Sequence, residues 1–149
     1  MTQADFDVLL NDATKAIDGD IVWKEDEDKS PAVEFMMDVS TANGDPLRVY
    51  GNYRGILGRL NYVLLHSNYG RIYALDLGQE HRNPDGNLVG EKHKHRWTEQ
   101  HLDKEAYAPQ DITAPAADPV TVWQQFCKEA NITHNGKMHA PPAVQFELL

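Results

Sequence analysis

Apolar residues recur at helical spacing near the start of the chain, where Phe6, Leu9, Leu10, Ala13, Ala16 and Ile17 share one face. Thr2 followed three residues later by Asp5 has the form of a capping box, so the pattern predicts an amphipathic helix over 3–17 ended by Gly19. IVW then begins extended structure, and the period changes to two. In VEFMMDVS, Val33, Phe35, Met37 and Val39 alternate with Glu34, Met36 and Asp38, as in a strand with one buried and one wet face. Asn43-Gly44 supplies a turn that accepts positive φ, and LRVYGNY returns as the partner strand. LNYVLLHS and RIYALDLG are apolar on both faces, which predicts central strands covered on both sides.

Beyond them, HRNPDGNLVG is a turn and KHKHRW its return strand. Thr98 is placed to cap a short helix through EQHLDKEA, whereas the three prolines of YAPQDITAPAADP predict a long surface loop. Asp118 with Pro119 at the first helical position opens a second helix. Its apolar stripe is Val122, Trp123, Phe126, Cys127 and Ala130, with Asn131 able to end it and Trp123 and Phe126 read as core anchors facing the sheet. Residues 131–149 read as an irregular tail in which AVQFELL forms a last edge strand. Runs of strands without interleaved helices do not build a parallel sheet. The expected fold is a single α+β domain over 1–149: a mostly antiparallel meander of five to seven strands, with an N-terminal and a C-terminal helix packed on it.

A chain of 149 residues can remove roughly two-thirds of its unfolded surface from water without disulfides or a structural metal. Its one cysteine, Cys127, forms no internal disulfide and, on an apolar helix stripe, reads as inert. The first twenty residues are rich in aspartate and hold no long apolar run, so neither a secretory leader nor a membrane span is expected there, and a cytoplasmic location is. Charge is sorted along the chain. The net −9 comes from a first segment, 1–47, with twelve acidic against three basic residues, a middle segment, 48–104, with nine basic against six acidic, and a last with two against five. An acidic chain repels phosphate at long range. KEDEDKS reads either as a solvated turn or as an acidic surface, built on Glu25, Asp26, Glu27 and Asp28 with Glu34 and Asp38, that recognises a basic protein partner.

Candidate chemistry gathers in EKHKHRW. On a strand, His93, His95 and Trp97 share one side and Lys92, Lys94 and Arg96 the other. Two strand registers are open. A four-residue NPDG turn sets Asp76 opposite His93, where a carboxylate orients the imidazole and raises its pKa, as general acid–base work requires. A bulge at Gly86, the commoner outcome for Pro-Asp-Gly and the preferred one, sets His93 beside Leu77 and His95 beside Leu75, packing the imidazoles into an apolar side while Lys92, Lys94 and Arg96 look outward. The stretch HKHRWTE resembles the first ligand motif of cupins, which implies His93, His95 and Glu99 as ligands of a transition metal. The second cupin motif has no counterpart after residue 99. A metal-independent ribonuclease is the other chemical reading, since His66, Arg71, His81, Arg82, His95 and Arg96 supply acid, base and phosphate-holding cations; Asp76, His81, His93 and His95 are the catalytic candidates. Nucleic acid is an expected partner only on that reading. No Gly-x-Ser-x-Gly, phosphate loop, Cys-x-x-Cys or His-Glu-x-x-His occurs, so serine-hydrolase, nucleotide-hydrolase, redox and zincin chemistry lack support.

The block LHSNYGRIYALDLGQEHRNPDGNLVGEKHKHRWTE resembles a small uncharacterised bacterial family that also occurs in mobile or prophage DNA. The resemblance implies no catalytic residue and no cofactor; it implies a setting of phage–host conflict, in which small acidic proteins act by binding and blocking. The expectation that follows is a small acidic protein-binding module, an inhibitor or regulator that masks a basic surface. A histidine-dependent ribonuclease-like or metal-binding enzyme is the alternative.

Overall fold

The structure, a computed structural model, describes residues 1–142. Helix α1 (Gln3–Asn11) is followed by strands β1 (Ala16–Asp18), β2 (Lys24–Glu25), β3 (Val33–Val39), β4 (Leu47–Arg54), β5 (Arg59–His66), β6 (Gly70–Leu77), β7 (His81–Arg82), β8 (Leu88–Val89), β9 (Lys92–Arg96) and β10 (Ala106–Tyr107), then by α2 (Pro119–Ala130) and β11 (Thr133–Asn135). Seven strands form one antiparallel sheet in the order β10-β9-β6-β5-β4-β3-β2, while β7-β8 and the parallel pair β1-β11 stand apart from it. The chain is an α+β fold. AVQFELL lies outside the described residues.

Both helices begin as their caps dictate. Thr2 and Asp5 exchange hydrogen bonds at 3.0 and 3.1 Å, and the Asp118 carboxylate accepts from the Thr121 N–H at 3.2 Å. α2 ends where Asn131 takes the left-handed conformation, φ +55°. α1 stops six residues short of the predicted 17. Asp12 Oδ1 accepts from both the N–H and the hydroxyl of Thr14, forming a local turn. Lys15 is fully buried and its Nζ donates to the carbonyls of Leu9, Leu10 and Asp12, satisfying acceptors that the helix end leaves open. Ala16 and Ile17, read as helical, instead pair with Thr133 and His134. EQHLDKEA forms no helix either: Thr98 and Leu102 bridge across a tight turn, with Leu102 at φ +56°, and the chain runs on into β10.

Cross-strand pairing sorts the side chains of the large sheet into two faces. On one, Phe35, Gly51, Tyr62, Leu75 and Lys94 form a row across β3, β4, β5, β6 and β9. α2 packs there through Trp123 and Phe126, whose rings lie 5.1 and 5.7 Å from that of Tyr62. Burying each large aromatic contributes about 2–3 kcal/mol. The opposite face carries the row Glu34, Asn52, Asn61, Asp76 and His93. That row is polar from end to end.

The turn after β6 resolves the two registers in an unexpected way. Gly86 adopts φ +88°, and Arg82 pairs with Leu88 and His81 with Val89, so the bulged hairpin does form at its tip. Between the tip and the sheet, however, the β6–β7 side carries one residue more than the β8–β9 side. The shift cancels the bulge, and Asp76 stands opposite His93, Ala74 opposite His95 and Tyr73 opposite Arg96. The preferred bulged register within β6–β9 is therefore corrected, and so is the outward aim of Lys94, whereas Lys92 stays exposed and Arg96 partly so. Lys94 is fully buried, with its Nζ 2.6 Å from Asp111 and 3.3 Å from Glu129 on α2. Lys92 donates to the carbonyl of Ile112 and Arg96 to Glu129, because the helix face of the sheet supplies their acceptors.

Candidate functional site

The corrected register places an acid beside two imidazoles on the face that the helices leave open. Asp76 Oδ2 lies 3.2 Å from Nε2 of His93 and 3.5 Å from Nε2 of His95. His81 joins them from the β7–β8 hairpin, its ring centre 4.5 Å from that of His95 and 5.5 Å from that of His93. One ring nitrogen from each of the three histidines falls within 4.8 Å of the other two. The hairpin is held over the sheet by Asn83, which donates to the carbonyl of Ala106 and accepts its N–H, both at 2.8 Å.

Each imidazole is oriented by a backbone carbonyl, which only accepts hydrogen bonds. His93 Nδ1 donates to Gly90, His95 Nδ1 to Asp103 and His81 Nε2 to Lys104, at 3.0, 2.8 and 2.7 Å. In the neutral rings this assigns the lone pairs to Nε2 of His93, Nε2 of His95 and Nδ1 of His81. Histidines that bind metal are held in this way, with the second ring nitrogen donating to a carbonyl or carboxylate.

Electrostatics tie the acid to its neighbours. Burial by itself would raise the Asp76 carboxyl, but hydrogen bonds that His93 and His95 donate from Nε2 as imidazolium rings, and the charge they then carry, outweigh it and hold the group far below the usual carboxylate range. His93 moves the other way. Burial would lower it, yet the bonds to Asp76 and Gly90 win and raise it above the ordinary histidine value. Arg71 backs the cluster: its Nε donates to Asp103 Oδ2 at 3.1 Å, and its guanidinium reaches 4.0 Å from Asp76. His93 and His95 are each only 2% exposed, so access runs past the half-buried Asp76 and His81.

All four catalytic candidates, Asp76, His81, His93 and His95, thus come together. Glu99 does not join them: its carboxylate accepts from the N–H of Gln3 at 3.3 Å, and His81 supplies the third imidazole. Of the remaining ribonuclease candidates, Arg71 is at the site. His66 instead lies against Tyr69, ring centres 4.8 Å apart and tilted, Arg82 donates to the carbonyl of Gly86, and Arg96 lies on the helix face. Sequence reading passed over Gly90, Asp103 and Lys104, which act through main-chain oxygens and so leave no side-chain signature. Cys127 is buried on α2, and burial pushes its thiol up, keeping it protonated.

The acidic residues gather elsewhere. Glu25, Asp26, Glu27, Asp28 and Glu34 line one hollow of about 770 Å³ with the exposed Val22 and Met36. Asp26 is committed within its own turn, accepting from the Asp28 N–H and from Asn52. Asp38 stands outside the hollow in an exposed pair with Arg48 at 3.1 Å. No helix among the described residues is long and apolar enough to cross a membrane. The model of a family of unknown function matches residues 1–132. No curated protein and no solved structure matches the chain.

Proposed function

Because the chain belongs to DUF6978, a family of unknown function, we propose its activity from the geometry: it binds a divalent transition metal through His81, His93, His95 and Asp76. The observation that carries this reading is the convergence of three imidazole nitrogens within 4.8 Å, each ring locked by a carbonyl on its other side. A zinc ion at about 2.0–2.1 Å from its ligands requires ligand separations of about 3.3 Å. The Asp76 to His93 and His95 distances of 3.2 and 3.5 Å already meet that requirement. The three imidazole nitrogens, within 4.8 Å of one another, would have to draw closer to share one ion. Imidazole and carboxylate together suit zinc, cobalt and iron(II). Bound there, such an ion supplies Lewis acidity and a water acidified toward pH 7, the chemistry of metal-assisted hydrolysis.

Equilibrium dialysis against zinc and cobalt(II), with metal analysis, visible spectra and an RNA-cleavage assay, tests the reading. The wild type is expected to hold one ion per chain, with the cobalt spectrum of a four- or five-coordinate site. His93→Ala/His95→Ala is expected to bind at least about 100-fold more weakly while keeping its helical circular dichroism. Wild-type protein that retains no zinc above the buffer level defeats the metal reading, and RNA cleavage by such metal-free protein would favour the metal-independent ribonuclease instead.

A second reading is favoured by the acidic hollow. Its carboxylates rim the exposed Val22 and Met36, a surface complementary to a basic protein segment with an apolar anchor. On this reading the protein masks such a partner. A fluorescent arginine-rich peptide with one leucine should bind, and Glu27→Lys/Asp28→Lys should weaken it roughly tenfold at low salt. Equal affinity of wild type and variant removes the hollow from consideration.

A further inference from the structure

We infer that a cationic cleft beside Asp76 is a phosphate-ester site serving the same centre. The cleft, of about 140 Å³, is lined by Lys29, Asn52, Arg54, Arg59, Asn61 and Asp76 among others. That volume equals the liquid share of about five water molecules, room for a phosphate group and its ester oxygens.

The central observation is a directly opposed pair of like charges. Arg54 and Arg59 are cross-strand partners at the ends of β4 and β5, an arrangement that destabilises a sheet unless something else neutralises it. Among the described residues no carboxylate lies within 4.0 Å of either guanidinium, or of Lys29. In a chain of net charge −9, the feature that sets this cleft apart is the gathering of two opposed arginines and a lysine along one small lining. Arginine forks match phosphate oxygens in pairs.

Position makes the cleft part of the centre. Arg54 and Arg59 share a face with Asn52 and Asn61, which pair across the sheet with each other, and Asn61 pairs with Asp76 and Asp76 with His93. One polar row therefore runs from the cations through two amides to the imidazoles. The amide of Asn52 donates to Asp26 and Tyr50, and that of Asn61 faces the cleft with donor and acceptor together. An ester phosphate held by the arginines would lie on the side of Asp76 from which the imidazoles are reached. The single carboxylate in the lining opposes an anion until a cation occupies the histidine cluster, so this inference rests on the metal reading for its linkage and on the arginines for its affinity.

Calorimetric titration of the full chain with inorganic phosphate, 5′-AMP and a dinucleoside monophosphate, each with and without one equivalent of zinc, provides the test. Binding of at least one of the three is expected, tighter with zinc and weaker in high salt, and the comparison of monoester with diester shows which source of phosphate the cleft takes. Arg54→Gln/Arg59→Gln should lose affinity at least tenfold with zinc content unchanged and a melting temperature no lower than wild type, since a like-charge pair has been removed. Arg59→Gln alone serves if the double variant misfolds. Absence of binding to zinc-loaded wild type, or equal affinity in the arginine variants, overturns the inference. Phosphate binding that depends on the arginines in a protein that takes up no zinc would leave the cleft standing and remove the metal centre.

Discussion

Glu129 shows how single charges are settled in this protein. One of its oxygens accepts from Tyr73, Tyr107 and Arg96 at 2.5, 2.9 and 2.9 Å, and the other lies 3.3 Å from the buried Lys94. Burial would raise its carboxyl, but these hydrogen bonds and the Lys94 charge outweigh it and bring it down to about 2. An acid depressed in the folded state contributes stability that is present above its unfolded value and lost as pH falls through the folded one. Stability should therefore drop by about 3 kcal/mol between pH 4.5 and 2, on the order expected for such a shift. Glu129→Gln should cost roughly 2–4 kcal/mol at pH 7, because Lys94 loses half of its ion pairing, and should flatten the acid limb. Urea melts at a series of pH values measure both; an unchanged acid limb in Glu129→Gln would show that other carboxylates govern it. Alternation along KHKHRW marked Lys94 and His95 as facing opposite ways. Nothing in that alternation said that α2 would bring a carboxylate to the lysine side.

At the scale of elements, the β6–β9 register decides whether a site exists, and two glycines set it. Gly86 has φ +88° with open space around it, whereas Gly78 has φ +91° and a Cβ there would stand 2.2 Å from the carbonyl oxygen of Gly58. Gly86→Ala should cost about 1 kcal/mol, from backbone strain alone. Gly78→Ala adds a clash with main chain that cannot swing aside, so a cost of roughly 2–4 kcal/mol is expected, together with weaker zinc uptake as Asp76 shifts against His93. Thermal melts and zinc dialysis of the two variants check this, and equal behaviour would show that Gly78 does not hold the register. The sequence signalled the bulge through Pro-Asp-Gly. It did not signal the compensating residue before His81, because an extra residue in an irregular connection changes no periodicity.

Across the whole molecule, six acidic residues of the first segment line one hollow beside β2 and β3 together with Lys24, while Arg54 and Arg59 stand at the ends of β4 and β5. The first helix and strand are tied to the segment that follows α2. β1 and β11 pair in parallel, and the Asn131 side chain donates to the carbonyl of Leu10 at 3.0 Å. The sequence by itself determined the elements whose cause is local: the N-caps at Thr2 and Asp118, the helix stop at Asn131, the alternating strand β3 with its return β4, the apolar runs β5 and β6, the turn at Gly44 and the aromatic face of α2. It also put Asp76, His81, His93 and His95 forward as a group. Only the tertiary structure decided that they meet, that Glu99 stays away, and that Ala16 and Ile17 leave the helix for a strand. Periodicity and capping act over a few residues and are written in the chain. Register across a turn, and which carbonyl orients which imidazole, depend on contacts between segments far apart in sequence, where a shift of one residue exchanges the faces.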